Sequence, residues 1–378
     1  MRVGIVGASA SGIYVAMLTK RLHPDWGVAL FDHAPKLAKK LYATGNGHCN
    51  LLNASIDPGK YSNPDFVASV IDGRPMEYWL GLLGEFGIPT TRIGDLIYPL
   101  TYSAASYVNA LTHILQKQGI SILLGCNVTG YRVSDQIELD TTEGRFTFDR
   151  LVIACGGKSQ KNLGSDGSLF GVLSDHGYAI SPLLPGLCPI KTIEQPKSLD
   201  GLRHKALVKL IQKGKTLYEE RGEVLFRKDG LSGIAIFNLA SIIARRGLDD
   251  EYDIAIDLFP DMQAAELKEN TERAKKTFGA NYLSAIVEKP LADYIARLGG
   301  NAIEVMKNLR FHFSALSSFE QSQVTVGGVK LSEISANLES KRENGVFFAG
   351  EVLDVDGLCG GFNLGWCLFS AARVAESL

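Results

Sequence analysis

No run of this 378-residue sequence is apolar for the ~18 residues that a bilayer-crossing helix needs. There is no Lys/Arg-rich tract either. The 39 basic and 41 acidic residues leave a formal net charge of −2, which gives no electrostatic case for nucleic acid or an acidic membrane as a partner. The six cysteines, at 49, 126, 155, 188, 359 and 367, include no C-x-x-C pair. That spacing argues against a disulfide framework or a zinc site and fits free thiols in a reducing compartment. The opening MRVGIVGASASG runs straight into a strand and turn, without the apolar core of a secretory signal. Internal repeats and low-complexity segments are absent too. The expectation is a soluble, cytoplasmic, multi-domain protein with no metal site. What the chain has in quantity is glycine, 40 residues, and their placement carries the information.

Residues 1–32 read as strand, tight turn, helix and strand: Arg2–Val6 is a short buried-strand pattern, Ile13, Ala16 and Met17 recur at helical spacing, and Val28–Phe31 is the next apolar run. Gly7-Ala8-Ser9-Ala10-Ser11-Gly12 sits between that strand and helix, where a dinucleotide fingerprint belongs. Gly7 permits the tight turn and Gly12 the close approach of helix to sheet. A pyrophosphate would lie on the amides that open the helix, around Ser9, Ala10 and Ser11. Asp32 ends the second strand, where a carboxylate accepts from ribose hydroxyls; an acid there disfavours NADP. The same turn also suits a Rossmann unit that binds nothing, S-adenosylmethionine or a sugar nucleotide, and it does not separate NAD from FAD.

Further along, residues 62–119 read as mostly helical, followed by strands at Ile120–Leu124, around Ile137/Leu139, at Phe146/Phe148 and at Leu151–Ala154. Pro-containing residues 181–189 look like a domain crossing. Residues 204–258 read as alternating strands with a hairpin turn at Lys213-Gly214, and 261–308 as helical. From 322 the chain regains strand-and-glycine character.

Three glycine clusters far apart in sequence discriminate between cofactors: Thr44–Asn50, Ala154-Cys155-Gly156-Gly157, and Gly350–Gly357 followed by Gly360-Gly361-Phe362-Asn363. An NAD domain confines its ligand to one crevice. A longer flavin dinucleotide needs late-chain contacts near its ribityl chain and ring.

With these motifs the sequence resembles the bacterial YhiN/BaiN-like, aminoacetone-oxidase-type flavoproteins, more distantly similar to fumarate reductase flavoproteins. The family's S-G-G-G-R-C-N loop appears as Thr44–Asn50, and its G-R-V-F-P-x-S segment as Asp95–Thr101. Its A-T-G-G strand end is Ala154–Gly157, and its G-S-T-G-D-G run is compressed to Gly164–Gly167. Its V-T-x-G-G-V is Val324–Val329, and its G-E-x-L-D-V-D-G-x-x-G-G-Y-N-L is Gly350–Leu364 with Phe362 for Tyr. Its G-E-L-L-F-T-H-x-G-x-S-G-P corresponds to Gly222–Ile234. The order is collinear over nearly the whole chain. Ser9 replaces a Gly, Asn46 a Gly, His48 an Arg, Arg227-Lys228 a Thr-His pair and Ile234 a Pro, so the family's substrate need not carry over.

The resemblance implies an α/β fold: a Rossmann-like FAD-binding domain with an inserted small β domain and a helical lobe. The expected boundaries are 1–187 and 327–378 for the FAD domain, 188–260 and 309–326 for the β domain, and 261–308 for the lobe. Cofactor contacts are expected from Gly7, Ser9, Ala10, Ser11, Gly12, Asp32, Gly45, Asn46, Gly47, Asn50, Val128, Ala154, Cys155, Gly156, Gly350, Glu351, Gly361, Phe362, Asn363 and Leu364. Glu351 would hold ribityl hydroxyls, and the helix opened by Gly360–Leu364 would face N1 and O2 of the flavin. Lys40, His48 and Cys49 are the nearest candidates for chemistry. As a histidine, His48 is a residue type that exchanges protons with substrates, while a backbone-bonded loop histidine and a packing role for Cys49 are the plain alternatives.

The expected activity is an FAD-dependent oxidoreductase that moves a hydride to the flavin from a small organic substrate, an amine or hydroxyl compound, or from NAD(P)H visiting transiently. The substrate is expected between the FAD and β domains. A flavin-binding sensor or scaffold and a soluble-NAD Rossmann dehydrogenase are the alternatives; the last leaves residues 350–364 unexplained.

Overall fold

The structure, a computed structural model, describes residues 1–249 and 251–378. It divides into two compact units, one of Met1–Leu184 with Gln323–Leu378 and one of Pro185–Ser322.

The first unit is built on a five-stranded parallel sheet in the order Val346–Phe348, Arg150–Ile153, Arg2–Val6, Gly27–Asp32, Ser121–Leu124. The central strand is buried on both faces, with Val3, Ile5 and Val6 at 4% exposure or less. That burial is why it reads as a continuous apolar run rather than an alternating one. Helices Ala10–Leu22 and Phe362–Ser377 pack against each other, bringing the chain's two ends together. A three-stranded antiparallel meander, Val128–Val133, Ile137–Thr141 and Gly144–Phe148, follows the outermost strand in sequence.

The helical reading of 62–119 needs correction. Helices Pro64–Ile71, Met76–Glu85 and Ala104–Lys117 are present. Between the last two lies a β hairpin, Thr90–Ile93 and Leu96–Pro99, whose second strand also pairs with Leu52–Asn53. The β-branched residues at 90, 91 and 93 and a turn through Gly94 (φ 61°) favour a hairpin over a helix there.

In the second unit six strands close a barrel in the order Ile190–Thr192, Gly230–Ser232, Lys215–Arg227, Arg203–Gln212, Asp253–Asp257, Leu309–Leu316. The expected turn at Lys213-Gly214 joins the two long strands, with both residues at positive φ (49° and 75°), as a two-residue hairpin loop requires. Within the span read as strands lies a helix, Ile234–Arg246. Its isoleucines suggest strand, but Ala235, Ile236, Leu239, Ala240 and Ile243 fall on one helical face and are wholly buried in the barrel's core. Helices Ala264–Phe278, Lys289–Leu298 and Ala302–Lys307 occupy the expected helical span. Their Leu267, Leu291, Ile295 and Met306 join the same core. Among the described residues no helix is long and apolar enough to cross a membrane.

Candidate functional site

All residues expected to touch the cofactor or take part in chemistry lie in the first unit. The fingerprint turn is built by close backbone approach. Gly7 has φ 110°, and a Cβ there would stand 2.3 Å from Ala154 O; a Cβ on Gly12 would stand 1.8 Å from Gly7 O. Ser9 caps the helix with extended backbone (φ −114°), and its side chain makes no capping bond. The first intrahelical bond runs from Ile13 N–H to Ser9 O (2.9 Å). The amides of Ala10, Ser11 and Gly12 precede that bond, and no acidic residue sits in the first turn. This end of the helix therefore favours an anion.

Asp32 is anchored before any ligand arrives. One carboxylate oxygen accepts from Ala8 N–H (2.7 Å) and the other from Ala34 N–H (2.8 Å), and each retains a lone pair for a hydroxyl. A cleft opens beside it, lined by Gly7, Asp32, His33, Val128, Cys155, Gly164 and Asp166 among others. Asp32→Ala is expected to weaken FAD retention by about 1–3 kcal/mol through lost hydroxyl bonds and a loosened turn. Fluorescence titration of the apoprotein with FAD checks this, and unchanged affinity would take Asp32 out of the site.

The Ala154–Gly157 turn leads to Glu351. A Cβ on Gly157 would meet Thr325 Oγ1 at 2.3 Å and Glu351 Oε1 at 2.8 Å, so this glycine lets the strand end lie against both. Glu351 Oε1 accepts from Thr325 N–H (2.7 Å), and Oε2 pairs with Lys40 Nζ at 3.3 Å. Lys40, a chemistry candidate by sequence, is thus held by a carboxylate. Gly350 (φ 78°) ties the late motif to the first: a Cβ there would lie 2.2 Å from Ser11 Oγ.

The Thr44–Asn50 loop closes the other end. Gly45, Asn46, Gly47 and Cys49 have φ of 55°, 53°, 86° and 59°. Asn is among the side chains that best tolerate this region, which explains how it stands where the family has Gly. Gly45 packs on Asn50 N, whereas Asn46 is exposed and Gly47 has open space around its Cα. The Asn50 amide bridges segments: its nitrogen donates to Ile97 O (3.2 Å) and Leu52 O (3.0 Å), and its oxygen accepts from Gly361 N–H (3.1 Å). Gly361 (φ 91°) would place a Cβ 2.5 Å from Leu52 O. The amides of Phe362, Asn363 and Leu364 then open the last helix. The Asn363 side chain turns inward, accepting from Gly357 N–H (2.9 Å) and donating to Gly357 O (2.8 Å); it shapes the loop, leaving its backbone to face a ligand.

Cys49 is fully buried, and burial pushes its thiol up to about 11. It is a thiol, not a thiolate, at neutral pH, a poor nucleophile. Cys188, wholly buried in the second unit, is likewise pushed up to about 11. Unfolding releases both to ionise near ~8.5. Their contribution to stability is therefore full below that pH and is lost as pH rises toward 11. Burial pushes Cys155 and Cys367 up to about 12 as well, so denaturant midpoints should fall between pH 9 and 11 and Cys49→Ala with Cys188→Ala should lessen that fall without abolishing it.

His48 stacks on Tyr102 with ring centroids 3.9 Å apart and planes 14° from parallel, and its Nδ1 lies 2.9 Å from Tyr102 O. A carbonyl only accepts, so Nδ1 carries the hydrogen and donates it. That leaves Nε2 as the ring nitrogen not bonded to Tyr102. Sequence reasoning misses both Tyr102 and Thr325: Thr325 lies within the recognised Val324–Val329 motif, but nothing in the sequence pairs Tyr102 with position 48.

The arrangement fits FAD. Free helix-opening amides lie beside an acid poised for hydroxyls, Glu351 stands between the two glycine motifs, and the buried Ser165 Oγ has no partner near the cleft's Gly164–Gly167 rim. Among the described residues no group of three or more His, Cys, Asp or Glu side chains is arranged to hold a metal ion.

Comparison with known proteins agrees. The family described as HI0933-like protein Rossmann domain matches residues 1–377. The chain is 32% identical over 396 residues to the 3-dehydro-bile acid delta(4,6)-reductase of Clostridium scindens, covering 97% of this chain and 96% of that protein. It is 27% identical over 402 residues to the ribosomal RNA dihydrouridine synthase of Haemophilus influenzae, covering 99% and 97%. In fold it is similar to a flavocytochrome c3 fumarate reductase (TM-score 0.50, 15% identity, 99% of this chain and 78% of that one). A similar likeness holds for the 3-ketosteroid delta1-dehydrogenase of Sterolibacterium denitrificans (0.50, 10%, 99% and 98%). The chain belongs to the HI0933-like Rossmann family and is an FAD-dependent oxidoreductase.

Proposed function

We propose that this enzyme is a reductase: with NAD(P)H as a transient hydride source, it adds two hydrogens across a carbon–carbon double bond conjugated to a carbonyl in a small organic substrate. Two hydrogens balance the step, a hydride originating in NAD(P)H and a proton from the protein. Bound FAD supplies the hydride-transfer chemistry. The amides of Ala10, Ser11 and Gly12 would hold its pyrophosphate, Asp32 its ribose, Glu351 its ribityl chain, and the Phe362–Leu364 amides the electron-rich edge of its ring. His48 would deliver the proton from Nε2.

The observation that carries the reading is the His48 ring, held by its stack on Tyr102 and by Nδ1 at 2.9 Å from Tyr102 O, so that Nε2 is the nitrogen not bonded to Tyr102. The names of the two relatives support the direction, since both denote hydrogen added across a double bond near a carbonyl. A small substrate is favoured over RNA by charge. The 39 basic and 41 acidic residues leave a net charge of −2, which offers a polyanion no overall attraction.

Anaerobic reduction tests this. NADH or NADPH should bleach the flavin's visible band, and a 3-oxo-4,6-diene bile acid should restore it faster than a uridine-containing oligoribonucleotide does. Bleaching by an amine or hydroxy acid, with no restoration by either unsaturated compound, would return the enzyme to the oxidative direction.

A further inference from the structure

One strained residue lies against the Thr44–Asn50 loop. Tyr102 has φ 49° and is 40% exposed. A bulky aromatic side chain in the left-handed region is uncommon and costs free energy, so surrounding contacts must hold it there. Two contacts do. Tyr102 N–H closes a turn onto Pro99 O (2.8 Å), and the ring lies edge-on to Tyr98, centroids 4.8 Å apart. The consequence of that backbone conformation is the direction of the Tyr102 carbonyl, which meets His48 Nδ1 at 2.9 Å while the phenol ring covers one face of the imidazole.

The placement ties this pair to the flavin end of the unit. Leu51 N–H donates to Ile97 O (2.8 Å), and Asn50 joins Ile97 to Gly361. The strand Leu96–Pro99 therefore runs from the start of the last helix to the turn that carries Tyr102. Position 48 is also where this chain departs from the family's arginine. A guanidinium has five donors and a permanent charge, and needs no tautomer to be set. An imidazole does, because only one of its nitrogens is free to exchange a proton in a given orientation.

We infer that Tyr102 is the positioning residue for His48: its left-handed backbone presents the carbonyl that fixes the Nδ1–H tautomer, and its ring holds the imidazole plane, so that Nε2 is the proton-exchanging atom. This rests on the reading of His48 as proton donor, and the test separates the two. The holoenzyme is labelled with 15N-histidine, and the His48 signals are assigned by their loss in His48→Gln. Wild type and Tyr102→Phe, which retains ring and backbone, should both show a protonated Nδ1 and unprotonated Nε2 in the neutral form. In Tyr102→Val the β-branched side chain disfavours positive φ. The carbonyl turns away, the tautomers mix, and reduction of the unsaturated substrate slows by at least ~10-fold with flavin content unchanged. Tyr102→Gly, which adopts positive φ freely, should retain the Nδ1–H signature and thereby show that the backbone sets it. A wild-type His48 protonated on Nε2, or a Tyr102→Val spectrum unchanged from wild type, would overturn the assignment. If the tautomer behaves as expected but His48→Gln reduces substrate at the wild-type rate, the proton-donor reading fails and the positioning stands.

Discussion

Gly12→Ala is expected to purify colourless, with FAD affinity lowered by more than ~100-fold, equivalent to about 2.7 kcal/mol. The added methyl would lie 1.8 Å from Gly7 O, and that oxygen belongs to backbone already fixed by Gly7 N–H donating to Phe31 O (2.7 Å). No rotamer relieves the overlap. Either the helix start withdraws or the turn opens, and both moves take the Ala10–Gly12 amides away from the position where a pyrophosphate meets them. A control isolates the cause: Gly81, at an exposed position of helix Met76–Glu85, has nothing within 4 Å of where a methyl would stand. Gly81→Ala should retain FAD and gain roughly 0.5–1 kcal/mol of stability from helix propensity. Flavin absorbance per mole of protein and denaturant melts of both variants decide the matter. A yellow Gly12→Ala protein with wild-type affinity would mean the turn is not where the phosphates bind.

His48→Gln is expected to lower substrate reduction by about 10²–10⁴-fold, the usual contribution of a positioned acid. Glutamine can still donate to Tyr102 O, so the loop keeps its shape, but it exchanges no proton near neutrality. FAD content and the rate at which NAD(P)H bleaches the flavin should stay within about twofold of wild type, because that half of the reaction needs no proton from His48. Rapid-mixing measurements of the two half-reactions separate them. Equal losses in both would point to a displaced flavin rather than a missing acid.

Much of the fold is legible because the signals are local. The Arg2–Val6 run, the glycine turn and Asp32 lie within one βαβ unit, whose strands and helix follow from their spacing. The Lys213-Gly214 turn is legible for the same reason, a two-residue loop between alternating strands. Sequence reading fails where two periods compete. Ile234–Arg246 is rich in β-branched residues yet buries a helical stripe, and Thr90–Pro99 is a hairpin short enough to vanish between helices. Tertiary packing decides such segments. At the site, the glycines are readable as a set, but their physical reason is not. Only the folded chain shows that Gly350 faces Ser11 and Gly157 faces Glu351. The partnership of Lys40 with Glu351 spans 311 residues, and that of His48 with Tyr102 depends on a positive φ that no residue type at 102 announces.

The most direct test of the central claim is a crystal structure of the protein reconstituted with FAD. The account predicts one ligand whose pyrophosphate lies on the Ala10–Gly12 amides and whose ring end lies against Gly361–Leu364, with Asp32 and Glu351 on its hydroxyls. A protein that takes up no FAD, or a bound FAD remote from residues 350–364, would contradict it.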